Sequence, residues 1–108
     1  MRRIVVACTL LMPVLGASAQ AQQPPQSVDV VGCVSRGVEL NCLIIKDSKS
    51  GKTYQINAAS PRPDPARNLV VHLKGQIAGA VDFCQQGPVL TAITWSYTER
   101  QCPAAKPQ

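Results

Sequence analysis

The sequence predicts an all-β domain, a small five-stranded barrel, on three observations. Apolar residues in its best-patterned stretches recur at every second position. Clusters of Gly, Pro and charged residues separate those stretches, and none of them shows the helical period. The chain also has only 108 residues, 45% of them apolar, which suits one domain and not two.

The elements follow in order. Residues 1–19 read as a signal peptide, with basic Met1-Arg2-Arg3, an apolar run from Ile4 to Leu15 and small residues Gly16-Ala17-Ser18-Ala19 for cleavage. The competing reading is a lipobox, Val5-Val6-Ala7-Cys8, but the apolar run continues past that cysteine. Residues 20–27 (QAQQPPQS) are polar and aperiodic, a disordered lead-in, and residues 103–108 form a similar tail. The domain is expected over residues 28–102.

Within it, Val28 to Ser35 is rich in β-branched residues and reads as a first strand. Arg36-Gly37 is a tight-turn candidate, and Val38 to Lys46 a second strand. Asp47 to Lys52 (DSKSGK) is a turn, and Thr53 to Asn57 a third strand with Tyr54 and Ile56 on one face. Three prolines in Ala58 to Arg67 (AASPRPDPAR) exclude a central strand and leave room for one helical turn. Leu69 to Ile77 places Leu69, Val71, Leu73, Gly75 and Ile77 on one face and Val70, His72, Lys74 and Gln76 on the other. Val89 to Thr98 places Val89, Thr91, Ile93, Trp95 and Tyr97 together, with Leu90, Ala92, Thr94, Ser96 and Thr98 opposite. Five strands, a long link after the third and a closing hairpin describe the order of an OB-fold; an open meander or small sandwich is the alternative.

Composition excludes several functions. No apolar run reaches the roughly 18 residues of a membrane-spanning helix, so no membrane insertion is expected. A net charge of +5 and 4% aromatics are too low for a nucleic-acid binder. Loss of Arg2 and Arg3 with the leader leaves nine basic residues against six acidic, a charge of +3. It also removes Cys8 and leaves Cys33, Cys42, Cys84 and Cys102, an even set that suggests two disulfides in an exported chain. No two of them have the C-x-x-C spacing of a zinc or redox site, and no cofactor is expected. His72 is the only histidine, and the serines at 18, 27, 35, 48, 50, 60 and 96 lie in no nucleophile motif, so no catalytic residue is assigned. Arg36, Lys74 and Arg100 are candidates for an anion-attracting patch, and Tyr97 for a ligand contact, although core packing explains Trp95 and Tyr97 better.

Two stretches carry a family resemblance. Gly37-Val38-Glu39 with Cys42 and Leu43-Ile44-Ile45, then Gly51-Lys52-Thr53-Tyr54, resembles the first half of small secreted bacterial domains of uncharacterised function. Leu69 to Gly75, Phe83-Cys84-Gln85-Gln86-Gly87 and Val89 to Trp95 resemble their second half. The resemblance implies an OB-type barrel, no established enzymatic activity, and a bridge between Cys42 and Cys84. Cys33 and Cys102 would then pair by default, while a local Cys33–Cys42 bridge across the first hairpin stays open.

Taken together, these readings point to a periplasmic or secreted, non-enzymatic binding module. Its partner is an unknown small ligand (a saccharide or an anionic metabolite) or an envelope protein. The alternative is a secreted inhibitor or interaction protein that presents its Pro-rich loop, residues 58–67.

Overall fold

The β-branched and alternating stretches assemble into five strands of a single sheet: β1 (Ser27–Arg36), β2 (Leu43–Asp47), β3 (Thr53–Gln55), β4 (Leu69–Ala78) and β5 (Val89–Gln101). The only helical element among the described residues is a 3-10 turn, Pro65–Arg67. This computed structural model describes residues 9–13, 16, 26–79 and 83–103. Most of the leader expected over residues 1–19, the lead-in up to residue 25 and the tail beyond Pro103 lie outside the described residues. Leu10, Leu11 and Met12 are exposed.

The strand order β1-β2-β3-β5-β4 closes on itself, because β1 pairs with both β2 and β4. Neighbours are antiparallel except at the β3–β5 seam, a single parallel partnership between Gln55 and Val89. Strand β1 passes from one partner to the other at Gly32, which pairs with both Asp47 and Val71 and where a Cβ would run into the Lys46 carbonyl. Alternating residues then meet inside the ring: Val30, Ile45, Ile56, Val71, Leu73 and Leu90 are almost fully buried, with Val34, Leu43 and Tyr54 beside them. Two disulfides, Cys33–Cys102 and Cys42–Cys84, staple the ring. They follow the pattern that the resemblance implies, not the local bridge.

Three strand assignments need correction. The second strand begins at Leu43, not Val38, because Gly37 to Cys42 is a closed loop. Its Gly37 N–H donates to the Cys42 carbonyl (2.7 Å), its Cys42 N–H to the Glu39 carbonyl (3.2 Å), and Asn41 takes a left-handed φ of 65°. The third strand ends at Gln55, since Asn57 turns its side chain to cap β2, accepting from the Leu43 N–H at 2.7 Å. The last strand changes face partway. Gln76 and Lys74 are separated by one residue, yet their partners Thr91 and Thr94 are separated by two. This bulge, with Ala92 at φ 50°, leaves Leu90 in the core and Thr91 outside while Ile93, Trp95 and Tyr97 pack on the core's edge.

Candidate functional site

The β1–β2, β3–β4 and β4–β5 connections come together through a disulfide and hydrogen bonds. The Cys42–Cys84 bridge (Cα atoms 5.9 Å apart) links the β1–β2 loop to the segment before β5. Both cysteines are buried, and Gln86 reinforces the link by accepting the Val38 N–H through Oε1 at 2.7 Å. At Gly87 the chain turns back with φ 93°, so close to β3 that a Cβ would overlap the Thr53 carbonyl oxygen. Gln55 fastens the same turn: its backbone N–H donates to Pro88 (2.9 Å) and its side-chain Nε2 to Gly87 (2.8 Å).

The Pro-rich segment is a strap and not a free loop. Pro63 is almost completely buried and Ala59 is buried beside the core. Trp95 Nε1 donates to the Pro61 carbonyl (2.7 Å), and the Asp64 N–H donates to the Tyr97 hydroxyl (2.8 Å). The two rings meet edge to face at 4.8 Å, and the Arg67 guanidinium lies 5.2 Å from the Tyr97 centroid. Arg62 folds back to donate to the carbonyls of Asn57 and Asn41, both at 3.3 Å. These contacts tie strap, β5 and β1–β2 loop into one body.

Between the strap and the β1–β2 loop runs a groove of 630 Å³. Arg36, Glu39, Arg62 and Asp64 line it with both signs of charge. Its outer rim is apolar: Val38 and Leu40 are 85% and 84% exposed. Phe83, 67% exposed, precedes Cys84 in the chain, and Val38 and Leu40 stand four and two residues before Cys42, so all three flank the bridge in sequence. Sequence periodicity placed Val38 and Leu40 on a strand. Asn41, a residue that tolerates the left-handed conformation, was the signal for a turn there.

No protein-family model, curated protein or solved structure matches this chain.

The four residues proposed from sequence as a ligand surface are scattered. Arg36 lines the groove just described. Lys74 sits mid-β4 on the outer sheet face, opposite Asp29 and Thr94. Tyr97 has its hydroxyl engaged by Asp64 and its ring by Arg67, so it holds the strap. Arg100 lines a separate cleft beside Cys33 and Lys46. Its position follows from β5 running on to Gln101, past the expected end at Thr98.

His72 is not isolated. Its Nε2 lies 2.6 Å from Asp29 Oδ1 across the β4–β1 pair, on the exposed face. Ser96 is its cross-strand partner on β5, but the Ser96 side chain makes no hydrogen bond to the ring. Among the described residues, no group of three or more His, Cys, Asp or Glu could hold a metal ion. Two disulfides fit an oxidising compartment, and no described helix is long and apolar enough to cross a membrane.

Proposed function

We propose that this chain is an exported, non-enzymatic binding module of the bacterial envelope, built as an OB-like barrel, and that it grips another protein through its stapled loop end. One observation carries the reading: Val38, Leu40 and Phe83 are held out into solvent by loops that a disulfide fixes in place. Large apolar side chains on unconstrained loops bury themselves by collapse; rigidly exposed ones mark contact surfaces. A preformed loop also loses little entropy on binding, which favours affinity.

Three further features support the reading. The strand order, with its parallel β3–β5 closure, suits an OB-type barrel, and in such barrels the β1–β2 and β4–β5 loops flank the ligand site. The two loops bridged here are those two. The exposed Leu10, Leu11 and Met12 take no part in the core, which suits a removable leader and hence a periplasmic or secreted location. The buried Pro63 and the anchored Arg62 argue against the Pro-rich segment acting as a free inhibitory loop.

The test compares capture of envelope proteins by the wild type and by a Val38→Asp/Phe83→Asp variant, with Thr94→Asp on the sheet as control. A partner retained by wild type and control but lost by the loop variant supports the proposal. Equal capture by all three overturns it, as does a thermal shift with envelope saccharides that the loop variant abolishes.

A further inference from the structure

A second cleft, away from the groove beside the strap, lies beside the Cys33–Cys102 bridge, which ties β1 to the chain just after β5. The Cys102 N–H fixes the same end by donating to the Asn68 carbonyl at 2.7 Å. The cleft encloses 430 Å³ and its lining is mostly apolar: Gly32 and Val70, the Cys33 end of the bridge, and Pro103. Val70 is a residue of the nominally wet face of β4, yet it is 8% exposed, sheltered in this depression.

Its polar edge is cationic. Lys46 lines it from β2 and Arg100 from β5, both exposed, and neither side chain bonds to any described residue. The single carboxylate in the lining, Asp47, is committed elsewhere. It accepts the Ser50 hydroxyl (2.7 Å), the Ser50 N–H (3.1 Å) and the Val31 N–H (3.4 Å). The β2–β3 turn adds Lys49 and Lys52 beside lining residues Ser48 and Gly51. Lys46, Arg100, Lys49 and Lys52 outnumber the charged Asp47 carboxylate, so the mouth of this apolar hollow, large enough for a small ligand, carries a net positive charge.

We propose that this cleft binds a small amphipathic carboxylate of the medium-chain fatty-acid type. Its head is held between Lys46 and Arg100, and its apolar body lies against Val70, Pro103 and the disulfide. The site is independent of the protein-contact role of the loop end. It differs from the patch suggested by sequence, because Arg100 finds its companion in Lys46 and not in Arg36 or Lys74.

Titration of the purified, oxidised chain with decanoate, followed by backbone amide shifts, tests it. Expected are saturable shifts centred on Gly32, Ser48, Gly51 and Gln101, with decanol and acetate binding at least tenfold more weakly. Lys46→Gln and Arg100→Gln should each weaken decanoate about tenfold or more, the loss of one charge-assisted contact. Both side chains are exposed and unbonded, so the melting midpoint should stay within about 2 °C. Val38→Asp should leave decanoate binding unchanged, which separates this site from the loop end. Wild-type affinity in both cation variants, equal binding of decanol, or shifts centred on another surface overturns the proposal.

Discussion

Replacing Cys42 and Cys84 together by Ala removes the inner of two nested bridges and tests whether the loop end is covalently pre-set. With the outer bridge intact, the shortest path from Cys42 to Cys84 runs through Cys33 and Cys102 and spans about 28 residues, so the inner bridge contributes about 3.5 kcal/mol. With the inner bridge intact, the path from Cys33 to Cys102 spans the same number of residues, which makes the outer bridge worth about 3.5 kcal/mol as well. Losses of this size are a large share of the roughly 5–15 kcal/mol that holds a small domain together. Urea unfolding followed by Trp95 fluorescence should show a deficit of about 3.5 kcal/mol for Cys42→Ala/Cys84→Ala and a similar one for Cys33→Ala/Cys102→Ala. Hydrogen exchange then separates the two. The Val38 amide, bonded to Gln86, should lose protection only without the inner bridge. The amide at position 102, bonded to Asn68, should lose it only without the outer one. A deficit below about 1 kcal/mol for the inner pair, or unchanged Val38 protection, would refute the argument that the disulfide positions this loop.

Three other outcomes are expected. Leu90→Ala should cost about 2–5 kcal/mol, whereas Thr91→Ala should cost under about 0.5; equal costs in urea unfolding would mean that the bulge at Ala92 is misplaced. Gly87→Ala should destabilise by more than about 1 kcal/mol, since φ is 93° and the new methyl meets the Thr53 carbonyl; a neutral result in the same assay would remove the tight turn from the account. Asp47 has its carboxyl held below the ordinary range, chiefly by the Ser50 hydroxyl; burial opposes this, and the backbone N–H groups of Ser50, Val31 and Lys49 lower it further. Its contribution to stability is therefore present above the unfolded-state pKa and is lost as pH falls through the depressed folded-state value. The Asp47→Asn deficit in urea unfolding should be full near about pH 6 and shrink in strong acid; a deficit independent of pH would contradict this.

What could be read from residue order alone was whatever depends on near neighbours. Alternation in Leu69 to Ile77 sufficed to place Val71 and Leu73 in the core, because a strand presents every second residue to the same side. Three prolines sufficed to keep Ala58 to Arg67 out of the sheet, because each lacks an N–H for the ladder. Other features depended on partners far along the chain. The same alternation failed in Val89 to Thr98, where pairing with β4 inserts a bulge at Ala92 and brings Leu90 inward; no residue in that stretch announces the extra position. Val38 and Leu40 read as strand residues until the Cys42–Cys84 bridge and the Gln86 hydrogen bond hold them in a loop. Lys46 and Arg100 lie far apart in sequence, and only the closure of the ring and the Cys33–Cys102 bridge set them around one cleft. Local pattern determines which residues can be strand and which can be turn; which surfaces face one another is decided by long-range pairing, whose energy no single segment contains.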